Sequence, residues 1–404
     1  MITVNGRSYR TRSVPVVGIC LDGTDPSYLE AASGVMPNLT AMAAKGSRGV
    51  AQSVIPSFTN PNNIAMATGV PPSVNGICGN YYYDQVTGVE VMMNDPKYLR
   101  CPTIFSAVGE AGVPVAVVTA KDKLRLLLGH GLKGICFSVE GVRKGAVPDK
   151  ARRIVEKMSQ PAPDIYDPEI SVYCIEAGVR LLETEKIGLA YLTTTDFVQH
   201  KYKPGSAEAN AFYARIDHFI GCLDQFGAIV AITADHGMND KVNPDGSPKV
   251  QFLETLLVDA GFREARVILP ITDPYVVHHG ALGSYATVYL GSGSIDDARG
   301  FLGKIPGVEL VLDRSEAAKR FQLPADRIGD FVVLADRSTT LGRTPSWHDL
   351  SVVESGLRSH GGLHEQRVPF IFNRQLQSTY ADRLAAGEAR NFDLFDFALN
   401  GVQD

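Results

Sequence analysis

Four short stretches carry side chains whose types and spacing suit metal chemistry. Asp22 lies in "CLDGTDP", Asp196 and His200 lie four apart in "TTTDFVQHKY", and Asp235 and His236 are adjacent in "TADHGMND". His360 and His364 lie in "LRSHGGLHEQRVPF". An Asp and a His at i and i+4 share one face of a helical turn, so both can reach one ion. An adjacent Asp-His at a strand end points its two side chains to opposite sides and can serve two ions. Imidazole with carboxylate suits Zn²⁺, with Mn²⁺ or Fe²⁺ as substitutes. A lone D-x-x-x-H is usually a surface ion pair, so the weight rests on the motifs occurring together. A fifth stretch, "SVIPSFTNPNNIAMATGVPP" (Ser53–Pro72), offers the hydroxyls of Ser53, Ser57, Thr59 and Thr68. An aliphatic hydroxyl is a poor nucleophile at neutral pH unless it is deprotonated or metal-bound. Spacing within that stretch leaves open which hydroxyl acts.

These residues need elements that bring them together. "VPVVGICLD" (Val14–Asp22), "PVAVVTA" (Pro114–Ala120), "IGLAYLTTTD" (Ile187–Asp196) and "GAIVAITADHG" (Gly227–Gly237) read as buried strands. Between them run helical patterns, such as Met36–Gly46 with Pro37 at its start and Gly46 as its cap, and Pro168–Lys186. Near-continuous apolar strands alternating with helices predict an α/β fold whose central, mostly parallel sheet is flanked by helices. Three of the strands end in Asp22, Asp196 and Asp235. Ligands of open α/β sheets bind beyond the carboxyl ends of the strands. Three carboxylates gathered there would repel one another unless a cation neutralises them.

The chain has 404 residues, more than one ordinary core holds. From about residue 245 to 355 the texture changes to shorter, Gly- and Pro-rich strand–helix–strand material, and "RVPFIFN" (Arg367–Asn373) resumes the strand pattern. The division expected is a core of residues 1–244 and 356–404 with a smaller α+β cap, residues 245–355, inserted into it. Hydrophobic residues make up 45% and the net charge is −5, which gives no footprint for nucleic acid and no polybasic membrane patch. The apolar run after Val14 is too short for a signal or membrane segment, and the expected location is cytoplasmic. The six cysteines are scattered without a C-x-x-C pair, against a cysteine-zinc site. The pair His278-His279 reads as structural or substrate-facing.

The order Asp-Gly, a Pro-rich Thr loop closing on Thr-Gly, D-x-x-x-H, Asp-His-Gly and finally His-Gly resembles the alkaline phosphatase superfamily. Within it, "IPSFTNPNNIAMATGVPPSVNGICGNYYYD" is similar to the nucleotide pyrophosphatase/phosphodiesterase branch, and "TAKDKLR" (Thr119–Arg125) with "RSHGGLHEQRVPF" resembles the phosphonoacetate hydrolases of that group. The motifs spread from residue 22 to residue 360. The resemblance implies an alkaline-phosphatase-like core with two Zn²⁺. One ion would be held by Asp196, His200 and His360, the other by Asp22, Asp235 and His236 with Thr59, the matching nucleophile. His364 competes with His360 for the last ligand position; His360 is favoured because Gly361-Gly362 follows it directly. Asn80 matches an asparagine that donates to a phosphoryl oxygen. Lys121 and Lys123 match substrate contacts and would share one face if the chain there is extended. Asn75-Gly76 stands where relatives often have His-Gly, at a position that is not a ligand.

The activity so implied is hydrolysis of the C–P bond of phosphonoacetate to acetate and phosphate through a phosphothreonine. The substrate is a small phosphonate, and a homodimer is open as the assembly. A phosphodiesterase or nucleotide pyrophosphatase on the same metal core is the alternative, with the tyrosines of "YYYDQ" (Tyr81–Gln85) as its base slot. A metal-binding protein without catalysis is the second alternative, and no ligand or nucleophile is damaged in the way that reading requires.

Overall fold

The computed structural model describes residues 1–271, 281–353 and 356–403, so His278-His279 lies outside the described residues. Seven strands form the central sheet in the order Ser47–Gln52, Arg367–Phe372, Ile229–Thr233, Val16–Cys20, Leu189–Thr193, Val115–Thr119 and Ile135–Ser138. Five run parallel from Ile229–Thr233 to Ile135–Ser138. Arg367–Phe372 is antiparallel to both of its neighbours.

Burial on both faces explains the unbroken apolar runs. Val16, Val117, Leu189, Tyr191 and Ala231 face one core, while Val17, Val118, Leu192, Val230 and Ile232 face the other. This is the period-two alternation of a strand, with water on neither side. Helices Pro37–Lys45, Glu169–Thr184 and Ala207–Gln225 cover the second face through residues such as Leu39, Ile175 and Ile216. Helices Thr59–Thr68, Ile104–Glu110 and Asp122–Leu128 cover the first. Pro37 occupies the first turn of its helix and Gly46 is its C-cap.

A second sheet of four antiparallel strands has the order Arg266–Ile268, Tyr285–Tyr289, Phe331–Ala335 and Val308–Asp313. Helices Ile295–Leu302 and Arg314–Phe321 accompany it. Its buried residues Val267, Tyr285, Val288 and Phe331 join the same apolar cluster as the first face of the main sheet.

What matters for the site is the common register of strand ends. Cys20 pairs with both Thr233 and Thr193, and Thr193 with Thr119. The four chains therefore leave the sheet at one level. Asp22, Asp235, Asp196 and Lys121 follow two or three residues later. No helix among the described residues is long and apolar enough to cross a membrane.

Candidate active site

Asp22, Asp196 and Asp235 are buried beyond the carboxyl ends of three adjacent strands. The turn after Asp22 is made by Gly23 at φ +70°, where an added Cβ would come within 2.8 Å of the Asp196 Cβ. Glycine thus permits both the turn and the approach of the second carboxylate. Asp196 precedes the single helical turn Phe197–Lys201, which places His200 Nε2 3.0 Å from Asp196 Oδ2.

Histidine Nε2 atoms converge on these carboxylates. His360 Nε2 lies 3.6 Å and His236 Nε2 3.9 Å from Asp196 Oδ2. His236 Nε2 is also 3.3 Å from Asp22 Oδ1 and 3.8 Å from Asp235 Oδ2. Each imidazole has its Nδ1 against a main-chain carbonyl: Arg358 for His200 at 2.7 Å, Gly237 for His236 at 2.9 Å and Ser57 for His360 at 2.8 Å. Such a bond fixes the ring and leaves Nε2 for a ligand. Two groups have donor atoms all within 4.8 Å: Asp22, Asp235 and His236, and Asp196, His236 and His360. His236 therefore belongs to both groups, and His200 reaches the second through Asp196.

The electrostatics call for a cation. Both Asp22 oxygens are buried without a hydrogen-bond partner. Burial, then the Asp196 and Asp235 charges, push the Asp22 carboxyl well above its usual range. Burial opposes ionisation of Asp196 as well, but Lys121, His200 and His360 outweigh it and hold its carboxyl low. For His236, burial disfavours the cation, yet Asp235, Asp22 and Asp196 together raise it to about 10. A set of buried carboxylates and imidazoles with orphaned oxygens fits divalent metal ions.

Thr59 opens the ten-residue helix Thr59–Thr68, and its Oγ1 is 3.5 Å from His236 Nε2. Two of the other hydroxyls of the stretch are engaged elsewhere. Ser57 Oγ donates to the Gly362 carbonyl at 2.7 Å, and Thr68 Oγ1 donates to Ile64 O at 2.7 Å at the far end of the helix. Ser53 is buried. His360 sits among the carboxylates, whereas His364 Nε2 meets Glu309 Oε2 at 2.7 Å on the surface.

Lys121 Nζ is 3.5 Å from Asp196 Oδ1. The expected extended run from Lys121 to Lys123 does not occur. Lys121 is the N-cap of helix Asp122–Leu128, which places Lys123 in its first turn. The helix starts there because Asp122 bonds Arg125 and Ser138, and Leu124, Leu127 and Leu128 bury one face. Asn80 is tied through its main chain to Pro270 and Met93, and its Oδ1 is buried without a hydrogen-bond partner. Tyr82 packs on Tyr98 beneath Arg327, and Tyr83 on Tyr289 beneath Arg266.

Two asparagines had escaped notice in the sequence. Asn62 Oδ1 accepts from Val54 N, and its Nδ2 donates to the carbonyls of Val54, Pro56 and Phe58, clamping the loop before Thr59. Asn63 Nδ2 donates to Thr59 O at 3.0 Å and to Asp235 Oδ2 at 3.1 Å, while Tyr191 OH donates to Asn63 Oδ1 at 2.7 Å. The readable signal was spacing: Asn63 falls one helical turn after Thr59.

The profile of the type I phosphodiesterase / nucleotide pyrophosphatase family matches residues 16–364. The chain is similar to phosphonoacetate hydrolase from Sinorhizobium meliloti 1021 in crystal structures with phosphonoacetate and with phosphonoformate. Each match has 50% identity and a TM-score of 0.92, over 98% of both chains. Murine ectonucleotide pyrophosphatase/phosphodiesterase 5 shares the fold, with a TM-score of 0.62 and 17% identity over 95% of this chain and 93% of that one. A fission yeast (Schizosaccharomyces pombe) protein described as an uncharacterized pyrophosphatase/phosphodiesterase is 27% identical over 55% of this chain and 44% of its own. The match thus spans less than half of that curated relative.

Proposed function

The chain belongs to the type I phosphodiesterase/nucleotide pyrophosphatase family, and from that premise we propose that it hydrolyses the C–P bond of phosphonoacetate to acetate and phosphate. The observation that carries the proposal is the placement of Thr59 Oγ1 at a helix start, 3.5 Å from a histidine shared by two buried carboxylate–histidine groups. Likeness at 50% identity to the Sinorhizobium enzyme supports the choice of substrate.

In this reading Asp196, His200 and His360 hold one Zn²⁺, and Asp22, Asp235 and His236 hold the second beside Thr59. When bound, the ions supply positive charge for the attacking hydroxyl, the phosphonyl oxygens and the carboxylate of the leaving group. The residues 1–244 and 356–404 carry this chemistry, and residues 245–355 form a cap over it.

Thr59 Oγ1 attacks phosphorus while the C–P bond breaks. The bonding pair passes to carbon and is delocalised into the acetate carboxylate, and the carbon takes up a proton to match the one Thr59 loses. Thr59 carries the phosphoryl group until water displaces it, regenerating the hydroxyl and releasing phosphate. Of the first turn of helix Thr59–Thr68, only Thr59 and Asn60 carry N–H groups without intrahelical partners, since Pro61 has none, and they offer the positive end of the helix dipole to the phosphonyl oxygens. Asn80 donates to a phosphonyl oxygen. Lys121 and Lys123 bind the phosphonyl and carboxylate oxygens; Lys121 already stands beside Asp196. A nucleotide slot is disfavoured because Tyr82 and Tyr83 are spent in packing against Tyr98 and Tyr289.

Rapid acid quench of the zinc-loaded protein with phosphonoacetate, followed by peptide mass spectrometry, tests the covalent step. A phosphoryl group on Thr59 is expected. A product burst with no modified Thr59 peptide would rule the step out.

A further inference from the structure

Next to the loops that carry His236 and His360 lies a fully buried ion pair. Lys241 Nζ and Glu365 Oε1 are 2.9 Å apart with both side chains 0% exposed. Two bonds of Glu365 lead to the site. Glu365 Oε2 accepts from Gly362 N at 3.0 Å, and Glu365 O accepts from Gly237 N at 2.7 Å. Gly237 supplies the carbonyl that meets His236 Nδ1, and Gly362 supplies the carbonyl that takes the Ser57 hydroxyl. Ser57 in turn offers its own carbonyl to His360 Nδ1 and precedes Phe58 and Thr59. Asn239 Nδ2 also reaches Glu365 Oε1 at 2.6 Å, and Lys241 Nζ donates to Arg337 O at 2.8 Å. The Glu365 carboxylate thus braces Gly362, and through it the Ser57–Thr59 loop that meets His360 and carries the hydroxyl, while the main chain of the same residue holds Gly237.

Removing two charges from water is costly, and an apolar pair of similar size is often as stable. Space filling alone therefore does not account for this pair. We propose that Glu365 and Lys241 are positioning residues that set the spacing of the His360 and Thr59 loops, and so the affinity of the site for its metal ions. The inference rests on the metal reading of the preceding subsection. It concerns geometry rather than a reacting group, because neither side chain touches the carboxylate–histidine cluster.

The test is Zn²⁺ titration of chelator-stripped protein against a competing chelator, with the melting temperature of the stripped protein measured alongside. The variants are Glu365→Gln and the double change Lys241→Met with Glu365→Leu. Partners in the shell behind a metal ligand typically change affinity by about 10–100-fold. The double variant is expected to fold, with a melting temperature lowered by the bonds lost to Gly362 N–H, Asn239 Nδ2 and Arg337 O, and to bind Zn²⁺ at least about tenfold more weakly. Wild-type affinity in the double variant would overturn the proposal and leave the pair a packing feature. If the double variant does not fold, Glu365→Gln decides: it removes the charge that pairs with Lys241 and so unseats the side chain that accepts from Gly362 N–H, and about tenfold weaker Zn²⁺ supports the proposal while unchanged Zn²⁺ overturns it. Failure of the wild-type protein to bind Zn²⁺ would instead remove the metal reading itself.

Discussion

His236 and His360 lie face to face, with ring centroids 3.5 Å apart and planes 5° from parallel. Two imidazoles held so closely, with both Nε2 atoms within 3.9 Å of Asp196 Oδ2, cannot both be cationic at low cost. Burial and then the neighbouring His236 and His200 push His360 well below its usual value, whereas the carboxylates favour the His236 cation despite its burial.

Loading with metal should therefore release protons. With His236 raised to about 10, its imidazole is protonated at pH 7 in the metal-free protein, and ligation needs the neutral ring. Calorimetric Zn²⁺ titrations at pH 7 in buffers of different ionisation enthalpy should give apparent enthalpies that differ in proportion. Identical enthalpies in all buffers would refute this protonation state.

The two candidate histidines should separate cleanly. His360→Ala removes an imidazole from the cluster, and about one of two bound ions should be lost in elemental analysis. His364→Ala breaks only a contact to Glu309 that is about one-third exposed, worth about 0–1 kcal/mol. Its metal content should match wild type; the reverse pattern would reassign the ligand.

Asn63 links the threonine to a carboxylate. Asn63→Asp keeps the volume but removes the Nδ2 donor shared by Thr59 O and Asp235 Oδ2, and it sets a second negative charge beside Asp235. The expected loss is about 10–100-fold in kcat or metal affinity, with the melting temperature of the folded protein still measurable. Steady-state kinetics beside metal analysis will check it, and wild-type values in both would show the bonds to be incidental.

Gly361 should tolerate no side chain. Its φ is +117°, and an added Cβ would collide with the Phe58 ring, which also packs edge-on against His360 at 5.4 Å. Gly361→Ala should destabilise by about 1–3 kcal/mol and displace His360. Denaturant unfolding measures the first effect, and an unchanged midpoint would argue that the loop relaxes freely.

Much of this was readable from residue order. Val16–Cys20, Leu189–Thr193 and Ile229–Thr233 are apolar on both faces, so their runs marked buried parallel strands and the aspartates beyond them marked the ligand edge. The orientation of Arg367–Phe372 was not readable, because an antiparallel strand buried on both sides has the same apolar texture. Lys121 and Lys123 misled because two-residue spacing says nothing of where a helix begins; the Asp122 bonds to Arg125 and Ser138 decide that through tertiary contact. The choice of Thr59 over Ser57 came from resemblance. The structure shows the physical difference: the Ser57 hydroxyl is consumed by Gly362 O, whereas that of Thr59 faces His236 Nε2. Glu365 and Lys241 sit 124 residues apart, and no local pattern could have joined them.

The most direct measurement is phosphate release from phosphonoacetate and from a nitrophenyl phosphodiester, side by side, by zinc-loaded wild-type protein and Thr59→Ala. The account predicts phosphate and acetate in equal amounts from phosphonoacetate, a higher kcat/KM than for the diester, and no turnover above background in Thr59→Ala with its metal retained. Preference for the diester, or full activity in Thr59→Ala, would contradict it.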